Sequence, residues 1–436
     1  MKSPALWNAL TTLALVAGLV LWIMLPWPGI ALLAALVALW LRFSRQGRLA
    51  LAAAGVGIAS LPQRWGAASV IVVGIAGVVA VLVAMLAMAS GFRSTLNASG
   101  SDEAAIILRG GSQVEINSVV TREQAVLLAN LAGIARSRDG RPLITAELAQ
   151  VINLPSKADG SDANVQLRGV GPMAWEVRPN VRIVAGRRFQ PGLRELIVGQ
   201  GVVAGYRGVE IGDVLRLSNQ DWTVVGHFAS GDSLDSELWT DIETLSSFYR
   251  RSAYQSVTVR LQGRESLPQL QAALAADPRL KLDALSTRDY FGKQASGMST
   301  LIEILGTVIG AIMAVGAVFG ALNTMYAAVA TRAREIATLR ALGFRGLPVV
   351  VAVMLETMLL ALLGGLLGGA LAWIVFNGYS VSTLSANFSQ VMFAFEVTPA
   401  LLWTGLKWAL GIGLIGGLFP ALRAARLPVT TALRAL

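Results

Sequence analysis

The sequence predicts a polytopic α-helical membrane protein: four core transmembrane helices and an N-terminal hairpin, with an α+β extracytoplasmic domain. Three observations lead there. Of the 436 residues, 54% are hydrophobic and 14% charged, where a soluble domain carries about 25% charged residues. Uncharged runs of 28 residues lie between Arg64 and Arg93 and between Glu303 and Arg332, and a helix crossing the hydrocarbon needs about 20. The block 91–298 between them is ordinary in composition, with 23 basic and 22 acidic residues.

Taken in order, residues 3–41 are uncharged but broken by Pro26-Trp27-Pro28, and proline removes a helix hydrogen bond and clashes with the preceding turn. Domain 1–48 is therefore read as a transmembrane hairpin, with helices near 6–25 and 29–43. A cleaved signal peptide is not expected, because Lys2 alone makes a weak basic leader and no A-x-A site precedes a soluble stretch. Residues 49–65 are short and Gly-rich, closed by Pro62 and Arg64, and read as an interfacial elbow helix. The first core helix occupies 66–92. The α+β domain follows over 93–298, and 299–436 holds three more spans near 303–329, 347–376 and 399–422.

Within the α+β block, strand-like runs are Ala105–Leu108, Val165–Val170, Glu195–Val198, Val214–Leu217, Trp222–Val225 and Ser256–Leu261. Amphipathic helices are expected near 122–135, 241–250 and 266–276. Asp232, Asp235, Glu237 and Asp241 cluster in sequence but lack the spacing of a calcium loop. They read as a solvated loop and helix cap.

Counting excludes whole chemistries. Without Cys there are no disulfides or thiolate metal sites, and a single His, His227, excludes zinc sites built on paired histidines. No catalytic, cofactor-binding or metal residues are expected, and His227 reads as structural. The net charge of +10 could suggest a polyanion partner. However, 13 basic and 4 acidic residues lie outside the α+β block, so the excess is membrane-adjacent and no nucleic acid is expected. Arg42, Arg45, Arg48 and Arg64 precede the first core helix, Arg332, Arg334, Arg340 and Arg345 join spans two and three, and Arg423, Arg426 and Arg434 end the chain. The positive-inside rule makes these places cytoplasmic and residues 91–298 extracytoplasmic.

Two intramembrane charges stand out. Glu356 lies about ten residues into its span, and an embedded carboxylate is costly enough to be a functional candidate; a packing or coupling role is expected. Lys407 reads as a side chain snorkelling outward. Glycine pairs four apart (Gly306/Gly310, Gly316/Gly320, Gly364/Gly368, Gly365/Gly369, Gly413/Gly417) read as close helix-packing faces.

The segment Thr331–Phe344 places Ile336, Leu339 and Leu342 at helical spacing among Arg332, Arg334, Glu335 and Arg340, with Gly343 as a stop. A solvated basic turn and a docking helix for a cytoplasmic partner both fit, and composition does not choose between them.

The stretches ALNTMYAAVATRAREIATLRALGF and VMLETMLLALLGGLLGGALAW resemble the end-of-chain module of MacB/FtsX-type ABC transporter permeases. There an R-x-x-E-I-x-x-L-x-A-L-G segment forms the coupling helix, matched here at Arg332, Glu335, Ile336, Leu339, Ala341, Leu342 and Gly343. The run GRRFQPGLRELIVGQGVVAGYRGVEIGDVLRL resembles the MacB-like periplasmic core, and the similarity covers about 49–436. It implies a non-enzymatic permease of the bacterial inner membrane, whose cytoplasmic ATPase dimer docks on Arg332 to Gly343, including Arg334 and Arg340. A second permease copy or related permease and a periplasmic adaptor complete the implied partners. ATP and magnesium would be held by the ATPase, on a separate chain, since no G-x-x-x-x-G-K-S/T phosphate loop occurs here. Two functions share this scaffold: export or membrane extraction of a substrate, or signalling to an extracytoplasmic partner such as a cell-wall hydrolase.

Overall fold

The computed structural model describes residue 17 and residues 21–341, 345–385 and 387–426. In chain order the first helices are α1 (Trp27–Phe43), α2 (Arg45–Ala59), a 3-10 turn (Leu61–Arg64) and α3 (Trp65–Ala98). Then come β1 (Ala104–Arg109), β2 (Val120–Thr121), α4 (Arg122–Leu128), β3 (Ile144–Pro155), β4 (Asp162–Val170), α5 (Ala174–Val177), β5 (Arg182–Gly186), β6 (Glu195–Gly199), α6 (Gln200–Gly205), β7 (Val214–Leu217) and β8 (Gln220–Ala229). They are followed by β9 (Glu237–Asp241), α7 (Ile242–Phe248), β10 (Ala253–Tyr254), β11 (Ser256–Arg260), α8 (Ser266–Ala276) and β12 (Leu282–Ser286). The chain ends on α9 (Thr287–Thr331), α10 (Ala333–Ala341), α11 (Gly346–Phe376), β13 (Ser380–Leu384), β14 (Gln390–Ala394) and α12 (Pro399–Arg426).

The chain forms two compact units, one from 1–88, 302–378 and 396–436, the other from 89–301 and 379–395. Among the described residues four helices are long and apolar enough to cross a membrane: the stretches Leu61–Ala98 and Thr287–Thr331, each partly in the first unit, and Gly346–Phe376 and Pro399–Arg426, wholly in it. Helices α1 and α2 meet at 95° and pass the same test only as a bent pair. Ser44 makes the corner, its Oγ accepting from the Gly47 N–H at 2.8 Å, so the helix expected over 49–65 begins at Arg45. The second hairpin helix is α1; the first, near 6–25, lies mostly outside the described residues.

The glycine pairs let helices within this unit approach. A Cβ on Gly306 or Gly310 would meet Met85 or Leu82 of α3, one on Gly364 or Gly368 would meet Ile75 or Val79, and one on Gly413 or Gly417 would meet Ala361 or Thr357 of α11. Gly316 and Gly320 face open space.

Lys407 of α12 does not snorkel. Its ammonium donates to the Leu25 carbonyl at 2.6 Å and also to that of Ile23, while Trp22 Nε1 donates to the Lys407 carbonyl at 2.8 Å. Pro26 interrupts the helix there and leaves carbonyls without helical donors, so an unpaired polar group inside the bilayer is satisfied by the ammonium.

The second unit is built on a ten-stranded sheet, order β12-β1-β11-β3-β4-β9-β6-β8-β5 with β7 on β8. Only β4–β9 and β6–β8 run parallel. One apolar core lies at β1 and β11 with Leu270 and Leu274 of α8. A second gathers Val165, Leu196, Trp222, Leu238 and Leu245, and a third Val170, Ile197, Phe228 and Trp239. The helix expected over 122–135 stops at Leu128, after a capping box between Thr121 and Gln124; Gly133 beyond it takes a left-handed φ of 90°, which glycine tolerates and which ends regular structure.

Residues 379–395, placed by the sequence in the permease domain, form a β13–β14 hairpin within this second unit. Met392 N–H donates to Ser236 Oγ at 2.8 Å, Asn164 Nδ2 to the Phe388 carbonyl at 3.1 Å, and Phe393 meets Phe92 edge-on. Alternation of buried and exposed residues in QVMFA is a period-two pattern, overlooked inside a long uncharged run.

Candidate coupling site in the membrane unit

Helix α10 follows α9 after a one-residue break at Arg332, whose carbonyl accepts the Ile336 N–H at 3.0 Å. Ile336 turns inward and is buried, whereas Arg334 and Glu335 are exposed and Arg340 is half-buried. Leu339 lies on the same helix. Leu342 and Gly343 are outside the described residues.

The break directs Arg332 to Glu356, which is 3% exposed on α11. Arg332 Nη1 is 2.9 Å from Glu356 Oε2, and Arg64 Nη2 is 3.0 Å from Oε1. Arg332 Nε also reaches Glu335 Oε2 at 3.0 Å, so two cations meet two carboxylates. Arg64 Nη2 donates further to Ser60 Oγ at 2.9 Å. Gly57 of α2 completes the wall: a Cβ there would lie 2.8 Å from Glu356 Oε2. Glu356 thus joins the elbow, the turn before α3, the α9–α10 break and α11. Sequence reasoning singled out Glu356 and Arg332 but assigned Arg64 only to topology; no local signal pairs residues 292 positions apart.

The second unit has its own buried charge centre. Arg168 of β4 donates to Glu115 at 2.8 Å, Glu147 at 2.6 Å and Glu237 at 2.7 Å, and Arg178 also binds Glu147. Burial pushes the Glu115 carboxyl up, but the charge of Arg168 and bonds from Arg168 and Ser256 outweigh it, leaving its pKa low. Glu237, expected in a solvated loop, is therefore a buried strand residue. Asp241 does cap α7, accepting from the Thr244 N–H at 2.9 Å, and Asp232 is buried, which raises its pKa. His227 Nε2 lies 2.9 Å from the Val209 carbonyl in a buried position. Among the described residues no group of three acidic or histidine side chains could hold a metal.

Four membrane-capable helices, a large sheet domain inserted after the first, and a short helix between the second and third define a polytopic helical architecture with an inserted α/β domain. The description "MacB-like periplasmic core domain" matches residues 67–277, and "FtsX-like permease C-terminal" matches 307–429. The chain belongs to the MacB/FtsX-type ABC transporter permeases. It is 27% identical over 387 residues to the macrolide export ATP-binding/permease protein MacB 1 of Aeromonas hydrophila, covering 82% of this chain and 56% of that one. To MacB of Pectobacterium atrosepticum it is 28% identical over 239 residues, 53% of this chain and 34% of the relative. The chain thus spans about half the length, or less, of these relatives. The periplasmic region of MacB from Actinobacillus actinomycetemcomitans aligns at 13% identity and a TM-score of 0.34, covering 44% of this chain and 92% of that one.

Proposed function

We propose that the chain is the permease subunit of an ABC transporter in the bacterial inner membrane, with residues 91–298 in the periplasm. ATP hydrolysis by a cytoplasmic ATPase dimer, carried on residues other than these 436, drives movement of the periplasmic domain for export or membrane extraction of a substrate. A second permease copy or a related permease, and a periplasmic adaptor, are the further partners of this reading. The names of the MacB relatives, which join ATP binding to export, support it.

The observation that carries it is the Arg64–Glu356–Arg332 cluster. Helix α10 is the docking helix, and Arg332 stands at its head. Charges interact more strongly away from water, and an ion pair has a preferred geometry that apolar contacts lack. A displacement of α10 is therefore passed through Glu356 to α11 and through Arg64 to the turn that opens α3. Arg334, Glu335 and Arg340 present the docking surface, to which the sequence pattern also assigns Leu339, Leu342 and Gly343.

Reconstitution in nanodiscs with the cognate ATPase tests this. The Glu335→Arg/Leu339→Ser double variant is expected to lose ATPase co-purification. Glu356→Gln is expected to keep the ATPase bound while losing permease-dependent stimulation of hydrolysis. Unchanged binding in the first, or unchanged stimulation in the second, overturns the reading.

A further inference from the structure

The long strand β3 is paired unequally on its two sides. On one side β4 accompanies it from Glu147 to Pro155; on the other β11 reaches only from Ile144 to Glu147. The backbone groups of the odd-numbered residues face the β11 side: the Glu147 carbonyl accepts the Gln255 N–H at 2.9 Å, and the Pro155 carbonyl accepts the Arg207 N–H at 2.9 Å. At Ala149 the N–H donates to the Gln255 side chain at 2.6 Å in place of a strand. Between these points, no strand among the described residues pairs with Val151 and Asn153 on that side.

The gap borders a cavity of about 540 Å³, walled by residues 148–151, by Ile116, Ser118 and Val119, and by residues 250–255. Val119 is 49% exposed. Arg250 and Arg251 are exposed and neither pairs with a carboxylate among the described residues. Arg250 is held at a left-handed φ of 52°, a conformation that costs energy in a residue other than glycine.

We propose that this gap receives an extended, acidic segment of an extracytoplasmic partner protein as an added strand. Main-chain bonds go to Val151 and Asn153, carboxylates to Arg250 and Arg251, and alternate apolar side chains to Val119 and Ile116. Strand addition takes its affinity from the backbone and its specificity from the side-chain sites. Folded proteins ordinarily blunt exposed edges; here Gln255 closes one end and Arg207 with Pro155 the other, so only a short segment fits. The surface is independent of the coupling site.

The test uses the full chain in detergent and a fluorescein-labelled peptide of alternating Val and Glu, read by fluorescence anisotropy. Saturable binding is expected, weakened about tenfold, or about 1.4 kcal/mol, by Arg250→Ser/Arg251→Ser, and lost when alternate peptide nitrogens are methylated. Equal binding of the methylated peptide overturns strand addition, since it keeps every side chain. Equal binding of a Val/Lys peptide, or no binding of any peptide, overturns the acidic partner. Disulfide linkage of two Asn153→Cys copies without peptide binding would give the edge to a second copy instead. Basal ATPase stimulation is expected to be unchanged in the double Arg variant, so this inference and the coupling reading fail separately.

Discussion

Arg332 and Glu356 face each other at 2.9 Å, 24 residues apart in sequence, with the carboxylate almost completely enclosed. Removing one member of a buried pair costs about 3–5 kcal/mol, because the other charge is left unpaired. Glu356→Gln is therefore expected to lower stability in detergent by that order, and Arg332→Met added to it to restore part of the loss. A thermal or denaturant double-mutant cycle checks this; strictly additive losses would mean that the two residues do not act as a pair.

Gly57 and Gly55 share α2 but not its environment. A Cβ at Gly57 would press on Glu356 Oε2, whereas one at Gly55 meets nothing within 4 Å. Gly57→Ala is expected to destabilise by about 1–3 kcal/mol through overpacking. Gly55→Ala is expected to stabilise by about 0.5–1 kcal/mol through helix propensity. Melting temperatures of the two variants should move in opposite directions.

Lys407→Met would leave the Ile23 and Leu25 carbonyls without their ammonium donor. Faster amide exchange over residues 25–30 in nanodiscs is the expected result, with Lys407→Arg retaining most of the protection. Unchanged exchange in the Met variant would show that the ammonium does not hold this break.

Glu115 gives the second unit an acid limb. A carboxylate held below its ordinary value of 4.5 contributes stability above that value, which is lost as pH falls through the folded pKa. Asp232, raised by burial, contributes in the opposite sense, its part being lost as pH rises, so the comparison is made in an Asp232→Asn background. Adding Glu115→Gln there should flatten the fall in melting temperature below pH 4.5. Parallel curves with and without Glu115→Gln would remove Glu115 from the account.

The legible parts of the fold were those with a strong local period. Long apolar runs, two of them uncharged throughout, located the four membrane-capable helices, and β7 and α8 fall where their patterns end, at Val214–Leu217 and Ser266–Ala276. What escaped depends on distant partners. Glu237 looks like a solvated acid until Arg168 is brought beside it, and Lys407 looks like a snorkelling end until the Pro26 break supplies carbonyls. The β13–β14 hairpin was hidden because it lies in the uncharged stretch between two spans, where charge marks no boundary. The segment between the second and third spans showed its helix and its charges, but not that Arg64 would share Glu356 with Arg332.

The Arg168 centre has a consequence for how the sheet domain bears load. Its carboxylates come from β3 and β9, which flank β4 on its two sides, and from Glu115 in the segment before β2. Losing the β3 side would leave Arg168 with Glu237 alone, and losing β4 and β9 would take Arg168 from both Glu115 and Glu147, so each side depends on the other for its charge balance. A pull on either side of β4 is then opposed at a single point, because Arg168 holds carboxylates of both sides: the centre is a clasp across the sheet.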